Sequence, residues 1–243
     1  MNEFIKIFNK QYTNRSSAHA RINLIGEHTD YTGGYVLPKL INYKTEIFIC
    51  QNKKQNQIYS DMYKEKISFI NLNKSKNNHW SDYIKGCFSI IKSNFKLPKD
   101  RFNIFIKSNI PPNKGISSSA ALCVALIKVL KNYYKINIDN KTIALLAQKV
   151  ETNYIGINSG IMDQMVSSIS KKNKAFFLNC KTYNYELINI PKDYLFNLID
   201  SNIDRKLRES SYNERFKELK KAQLILKTKY LNSISIKEFN KKK

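Results

Sequence analysis

The sequence has no C-x-x-C pair. Its cysteines, Cys50, Cys87, Cys123 and Cys180, stand far apart, which excludes a zinc knuckle or a dithiol redox motif by spacing. Four reduced and mostly buried thiols are expected. Histidine is scarce and scattered, at His19, His28 and His79, so no metal site is legible from histidine spacing. There is no apolar run of about eighteen residues, and the start MNEFIKIFNK lacks a signal-peptide core. A soluble cytoplasmic protein with no membrane partner is therefore expected. G-x-x-x-x-G-K-[ST] and G-x-S-x-G are both absent, which rules out a Walker A loop and a nucleophile elbow. Pro/Gly linkers and internal repeats are also missing.

Acidic residues are few: 19 Asp+Glu stand against 42 Lys+Arg, a formal charge of +23. Such a balance ordinarily suggests a nucleic-acid partner. Here the basic residues are mostly Lys, spread evenly among Asn, Ile and Tyr, as an AT-rich coding bias produces. RNA-binding signatures of interleaved aromatics and glycines are missing, so a solvated basic surface is expected and no nucleic acid. An anionic substrate still gains from the field. With 243 residues and 42% hydrophobic content, the chain can bury a core in one large domain or one and a half smaller ones.

Local patterns alternate between strand and helix. Residues 35–50 read as extended strands, 58–72 as a hairpin, and RFNIFIKS alternates Phe102, Ile104 and Ile106 as a strand. Tyr83, Cys87, Ile90 and Ile91 recur at helical spacing after Trp80. A Pro-Pro loop gives way to an Ala/Leu/Val-rich helix beginning near Ser118. Ile143, Leu146, Ala147, Val150 and Tyr154 share one helical face, with Gly156 as a stop. AFFLNC, YELINI and YLFNLIDS (194–201) are strand candidates, and 210–231 reads as a long helix. An α/β or α+β domain follows.

Three stretches carry chemistry. PPNKGISSSAA puts hydroxyls and amides at a helix N-terminus, where unpaired N–H groups and the helix dipole favour an anion such as phosphate; a Ser-rich N-cap is the plainer alternative. In ETNYIGINSGIMDQM, Glu151 ends a helix and Asp163 follows a glycine turn between apolar neighbours, fit for a base, a metal ligand or simply an N-cap. RINLIGEHTDYTGG packs Arg21, Glu27, His28 and Asp30 beside a turn, offering hydrogen-bonding edges for a polyhydroxylated ligand, or forming a polar turn.

In this order and wording the three stretches resemble the GHMP small-molecule kinases, and within them the galactokinase family. ARINLIGEHTDYTGGYVLP resembles the galactokinase signature, PPNKGISSSAA the family phosphate loop, and SGIMDQ the active-site turn. FFLNC, SIKEFN and the pattern Ser210, Tyr212, Asn213, Arg215 extend the likeness from about Tyr12 to Asn240. The resemblance implies an α+β fold: a GHMP kinase N-terminal domain (ribosomal protein S5 domain 2-like) over 1–195, with only the start of a ferredoxin-like C-terminal domain over 196–243. It implies phosphorylation of D-galactose by ATP with Mg²⁺, in a monomer. Asp163 and Arg21 would be catalytic, the aspartate taking the proton of the sugar C1 hydroxyl and the arginine keeping it ionised. Glu27, His28, Thr29, Asp30 and Tyr212 would bind sugar. Asn113, Lys114, Gly115, Ile116, Ser117, Ser118 and Ser119 would bind ATP, with Ser119 and Glu151 holding the metal.

The chain departs from the family pattern in three places. The usual Pro-Gly before the signature arginine is His19-Ala20, so the turn aiming Arg21 is expected to be altered. Asn113-Lys114 replaces a small, glycine-containing pair, which is expected to crowd the approach to phosphate. The sequence also stops before the family's late glycine-rich motif, so a truncated kinase is expected, with a sugar-binding regulator or a decaying gene product as the other readings.

Overall fold

The computed structural model describes residues 2–73, 79–202 and 205–242. After a short helix α1 (Asn2–Phe8), strand β1 (Asn14–Asn23) pairs antiparallel with the long strand β3 (Pro38–Asn52), which follows the brief strand β2 (Tyr35–Val36). Next comes the hairpin β4 (Asn56–Ser60) and β5 (Glu65–Phe69), then helix α2 (Ser81–Asn94) and strand β6 (Arg101–Ser108). β6 lies between β3, antiparallel to it, and β4, which runs parallel. Helices α3 (Ser118–Tyr134), α4 (Asn140–Lys149) and α5 (Met162–Ile169) precede β7 (Lys174–Asn179) and β8 (Tyr185–Asn189), which extend the same sheet past β3.

Alternation along β3 explains the layering. Ile47 and Ile49 face α2, α3 and α4, together with Ile58, Phe102, Ile104 and Ile106. Phe48 and Cys50 face the other way, where Phe4 and Phe8 of α1 cover them beside Phe105. Within the first of these layers, α3 is apolar almost all round: Ala121, Val124, Ala125, Leu126, Ile127 and Leu130 are fully buried, as expected of a central helix. Each large side chain buried there contributes about 1.5–3 kcal/mol. A second cluster sets Met162, Met165 and Val166 of α5 against Val36, Leu40, Phe176 and Leu178. This cluster fixes the helix that carries Asp163. All four cysteines are unpaired and buried.

Several expected elements appear at their expected places: β6 spans 101–108 and α3 starts at Ser118. The helix over 142–156 is more elaborate. Its last turn, Val150–Ile155, widens, and the amides of Gly156 and Ile157 both reach the Glu151 carbonyl at 2.9 Å, with Gly156 in a left-handed conformation at φ 87°. Widened turns of this kind concentrate at functional sites. Two expectations are corrected. Residues 194–201 form no strand and leave Leu195 and Ile199 89% and 92% exposed. The long helix, α6 (Arg205–Ile225), ends short of 231, with Lys227 left-handed at φ 48°. Among the described residues no helix is long and apolar enough to cross a membrane.

Candidate active site

Arg21 sits inside β1, just past a break in register. His19 faces Lys44, but Arg21 faces Leu40, so β3 bulges over residues 41–43. The bulge bends the pair and turns the next side chain. Two hydrogen bonds hold the result: Ser167 donates to the His19 carbonyl at 2.9 Å, and the Arg21 amide donates to the Ile116 carbonyl at 3.3 Å. Ala20, fully buried, fits the crowded step. Arg21 is thus aimed by a bulge and two tethers, with His19-Ala20 standing before it.

The guanidinium grips one carboxylate oxygen of Asp163. Nε lies 2.7 Å and Nη2 2.6 Å from Oδ1, while Nη1 donates to the Gly115 carbonyl at 2.9 Å. The Ser117 hydroxyl donates to the other oxygen, Oδ2, at 2.5 Å. Asn113, Gly115 and Ser117 take left-handed conformations at φ 58°, 73° and 65°, folding the loop back on itself before α3. Asparagine enters this region more readily than most residues, and Asn113 is exposed here. Lys114 pairs with Asp200, and Ser118 opens α3.

Two residues after Ser117, Ser119 donates to Glu151 Oε1 at 2.8 Å, and Ser159 and Gln164 donate to Oε2 at 2.9 and 2.8 Å. Burial, and secondly the charge of Asp163, push the Glu151 carboxyl above its usual range, while these three hydrogen bonds pull the other way. All three donors are neutral. Gln164 Oε1 is itself buried without a hydrogen-bond partner.

The loop 24–34 closes the site from the side of β1. Thr29 turns its hydroxyl inward, 2.7 Å from the Gly26 carbonyl and 2.6 Å from that of Tyr35, so it shapes the loop. Glu27 accepts from Asn23 at 3.1 Å, and His28 Nδ1 lies 2.5 Å from the Tyr31 hydroxyl, both on the exposed side. Asp30 points inward and rests on Gly160, where a Cβ would stand 1.9 Å from Asp30 Oδ2. Burial, then the Asp163 charge, raise the Asp30 carboxyl to about 6, against the Tyr31 amide and Arg21. The loop is braced from behind: Tyr230 packs on Gly33, Asn232 donates to the Gly33 carbonyl at 2.9 Å, and Phe216 meets the Tyr31 ring at 5.8 Å.

The structure therefore brings Arg21, Asp30, Gly115, Ile116, Ser117, Ser119, Glu151 and Asp163 together. Tyr212 lies outside the described side chains. Sequence reasoning missed Ser159, Gln164, Tyr31, Tyr230 and Asn232 as site residues. Ser159 and Gln164, both within the quoted active-site turn, and Tyr31, within the quoted signature, carried a signal; Tyr230 and Asn232 carried none.

Residues 2–51 match the model of the galactokinase galactose-binding signature, and residues 82–171 that of the GHMP kinases N terminal domain. A galactokinase of Clostridium perfringens (strain ATCC 13124) is 36% identical over 96% of this chain and 62% of its own length. One of Lactococcus lactis subsp. lactis (strain IL1403) is 36% identical over 90% of this chain and 58% of its own. The chain is thus similar to the galactokinases over its whole described length, through both family models and these relatives. It spans about three fifths of the length of these curated relatives. The crystal structure of Lactococcus lactis galactokinase complexed with galactose matches with a TM-score of 0.87 at 32% identity, covering 99% of this chain and 65% of that one. Methanococcus jannaschii mevalonate kinase, at 22% identity and a TM-score of 0.61, shares the fold. The α+β architecture is that of the GHMP kinase N-terminal domain.

Proposed function

We propose that this chain provides the sugar site and catalytic base for transfer of the ATP γ-phosphoryl group to the C1 hydroxyl of D-galactose, giving galactose 1-phosphate. The observation that carries the reading is Asp163, with Oδ1 clamped by Arg21 and Oδ2 turned toward the phosphate loop, beside a signature loop whose Asp30 points into the same space. Asp163 takes the proton from the sugar hydroxyl, while Arg21 holds the carboxylate in place and offsets negative charge on the reacting oxygens. Asp30, Glu27 and His28 supply edges for the sugar hydroxyls, and the buried, unpaired Asn23 Oδ1 beside Glu27 is a further acceptor. Thr29 keeps that loop in shape. The amides and hydroxyls of residues 113–119 receive the nucleotide phosphates at the α3 N-terminus.

The donor set around Glu151 fits Mg²⁺. It is all oxygen, its carboxylate is buried among neutral donors, and Gln164 Oε1 is an orphaned acceptor. Among the described residues no cluster of three acidic, histidine or cysteine side chains could hold a metal. Ser119 and Glu151 would hold the Mg²⁺. Bound there, the ion would neutralise charge on the transferring phosphoryl group. Residues 1–195 form the N-terminal domain in this reading, and 196–243 begin the next.

Coupled ADP release tests the chemistry. The chain should turn over with galactose and MgATP, and Asp163→Asn should slow it by about a hundred- to ten-thousand-fold while keeping sugar affinity within a few-fold. An Asn variant as fast as wild type sinks the base assignment.

A further inference from the structure

Both guanidinium contacts to Asp163 fall on Oδ1, and the Ser117 hydroxyl, 2.5 Å away, takes Oδ2. On the function proposed above, Oδ2 is the oxygen that must accept the sugar proton. Ser117 thus stands where the acceptor hydroxyl has to donate. The same serine belongs to the phosphate loop and stands at the N-cap position of α3 with its hydroxyl making no capping bond, where contacts to phosphate oxygens are most favourable. A serine hydroxyl carries a single proton. It can serve Asp163 or a phosphate oxygen, and not both at once.

The backbone of Ser117 strengthens the point. It is a non-glycine residue held at φ 65°, ψ 45°, a conformation that persists only where the surroundings over-determine it. The hydroxyl bond to Asp163 is one such constraint, and the Ala121 amide, donating to the Ser117 carbonyl at 3.1 Å, is another. Ser117 is 6% exposed, so bulk water offers its hydroxyl little alternative.

We infer that Ser117 couples the two substrates. Phosphate oxygens in the loop draw its proton away from Asp163, Oδ2 is released, and the sugar hydroxyl donates there instead. No covalent bond changes in this step: the Ser117 proton stays on its own oxygen and only its acceptor differs. Nucleotide and sugar therefore bind with positive cooperativity, each strengthening the other by the same factor, as linkage requires. Ser117 is a positioning residue in this scheme, acting through Asp163.

The test is a thermodynamic cycle by calorimetry. Galactose is titrated into wild type, Ser117→Ala and Ser117→Gly, each with and without a saturating non-hydrolysable ATP analogue and Mg²⁺. In wild type the analogue should tighten galactose by about five- to tenfold. Both variants should bind galactose without nucleotide about as well as wild type does with it, and the analogue should then change affinity less than about twofold. Glycine adopts the left-handed backbone freely and alanine does not, so a shared loss of coupling belongs to the hydroxyl. Coupling retained in either variant overturns the inference, as does a wild type that binds the two ligands independently. A wild type that binds no galactose, or no nucleotide, overturns the underlying functional reading, and the inference falls with it.

Discussion

Asp30 shows what the site does to a single residue. Burial and the nearby Asp163 charge lift its carboxyl from 3.8 to about 6. A raised carboxyl binds its proton more tightly in the folded state, so the stability it contributes is fully present below 3.8 and is lost as pH rises through about 6. The whole shift corresponds to at most about 3 kcal/mol. Asp30→Asn removes that dependence. Measured by urea unfolding, the variant should gain on wild type by about 1 kcal/mol between pH 5 and 7.5. A difference independent of pH, or one of opposite sign, contradicts the assigned environment. Arg21, Glu151 and Asp163 were legible in the sequence because each sits in a motif with its own wording. The contact of Ser117 with Asp163 was not: a run of three serines does not say which of them meets which carboxylate. That division follows from α3 rotating successive side chains to different neighbours.

Among the elements, the signature loop depends on what lies behind it. Gly33, at φ 80°, leaves room for the Tyr230 ring, and a Cβ there would stand 2.3 Å from Tyr230 Cδ1. Gly33→Ala should both strain the backbone and push that ring away. The loop carrying Glu27, His28 and Asp30 then loses its brace, and galactose affinity should fall by about tenfold, equivalent to about 1.4 kcal/mol. Nucleotide affinity, measured in parallel, should hold within about twofold; equal losses of both would indicate general damage. The boundaries of β6 and the start of α3 were readable because alternation and a loop-to-helix change of composition mark them. The bulge opposite Ala20 was not, since pairing register is a property of two strands. Residues 194–201 misled for a related reason: apolar and aromatic content favours a strand only where an edge accepts it. The end of α6 carries no Gly or Pro to announce it.

Across the whole molecule two features oppose each other. Leu195 and Ile199 are 89% and 92% exposed, and Leu224 and Ile225 78% and 68%, apolar surface that favours association. The net charge of +23 resists it, less so as salt screens the repulsion. Light scattering should therefore show association rising with salt, and Leu195→Ser combined with Ile199→Ser should suppress that rise without lowering the melting temperature by more than about 2 °C, since neither side chain is packed. Association that falls with salt would assign it to charge. The central claim is that these elements assemble a site for one sugar. Galactose and glucose differ by the inversion of one hydroxyl, and a site of directed hydrogen bonds leaves polar groups unpaired when that hydroxyl is turned. Calorimetric titration of the 243-residue chain with each sugar measures this directly. A saturable galactose isotherm with glucose at least about tenfold weaker is the predicted result, and equal heats for the two sugars, or no galactose binding, would contradict it.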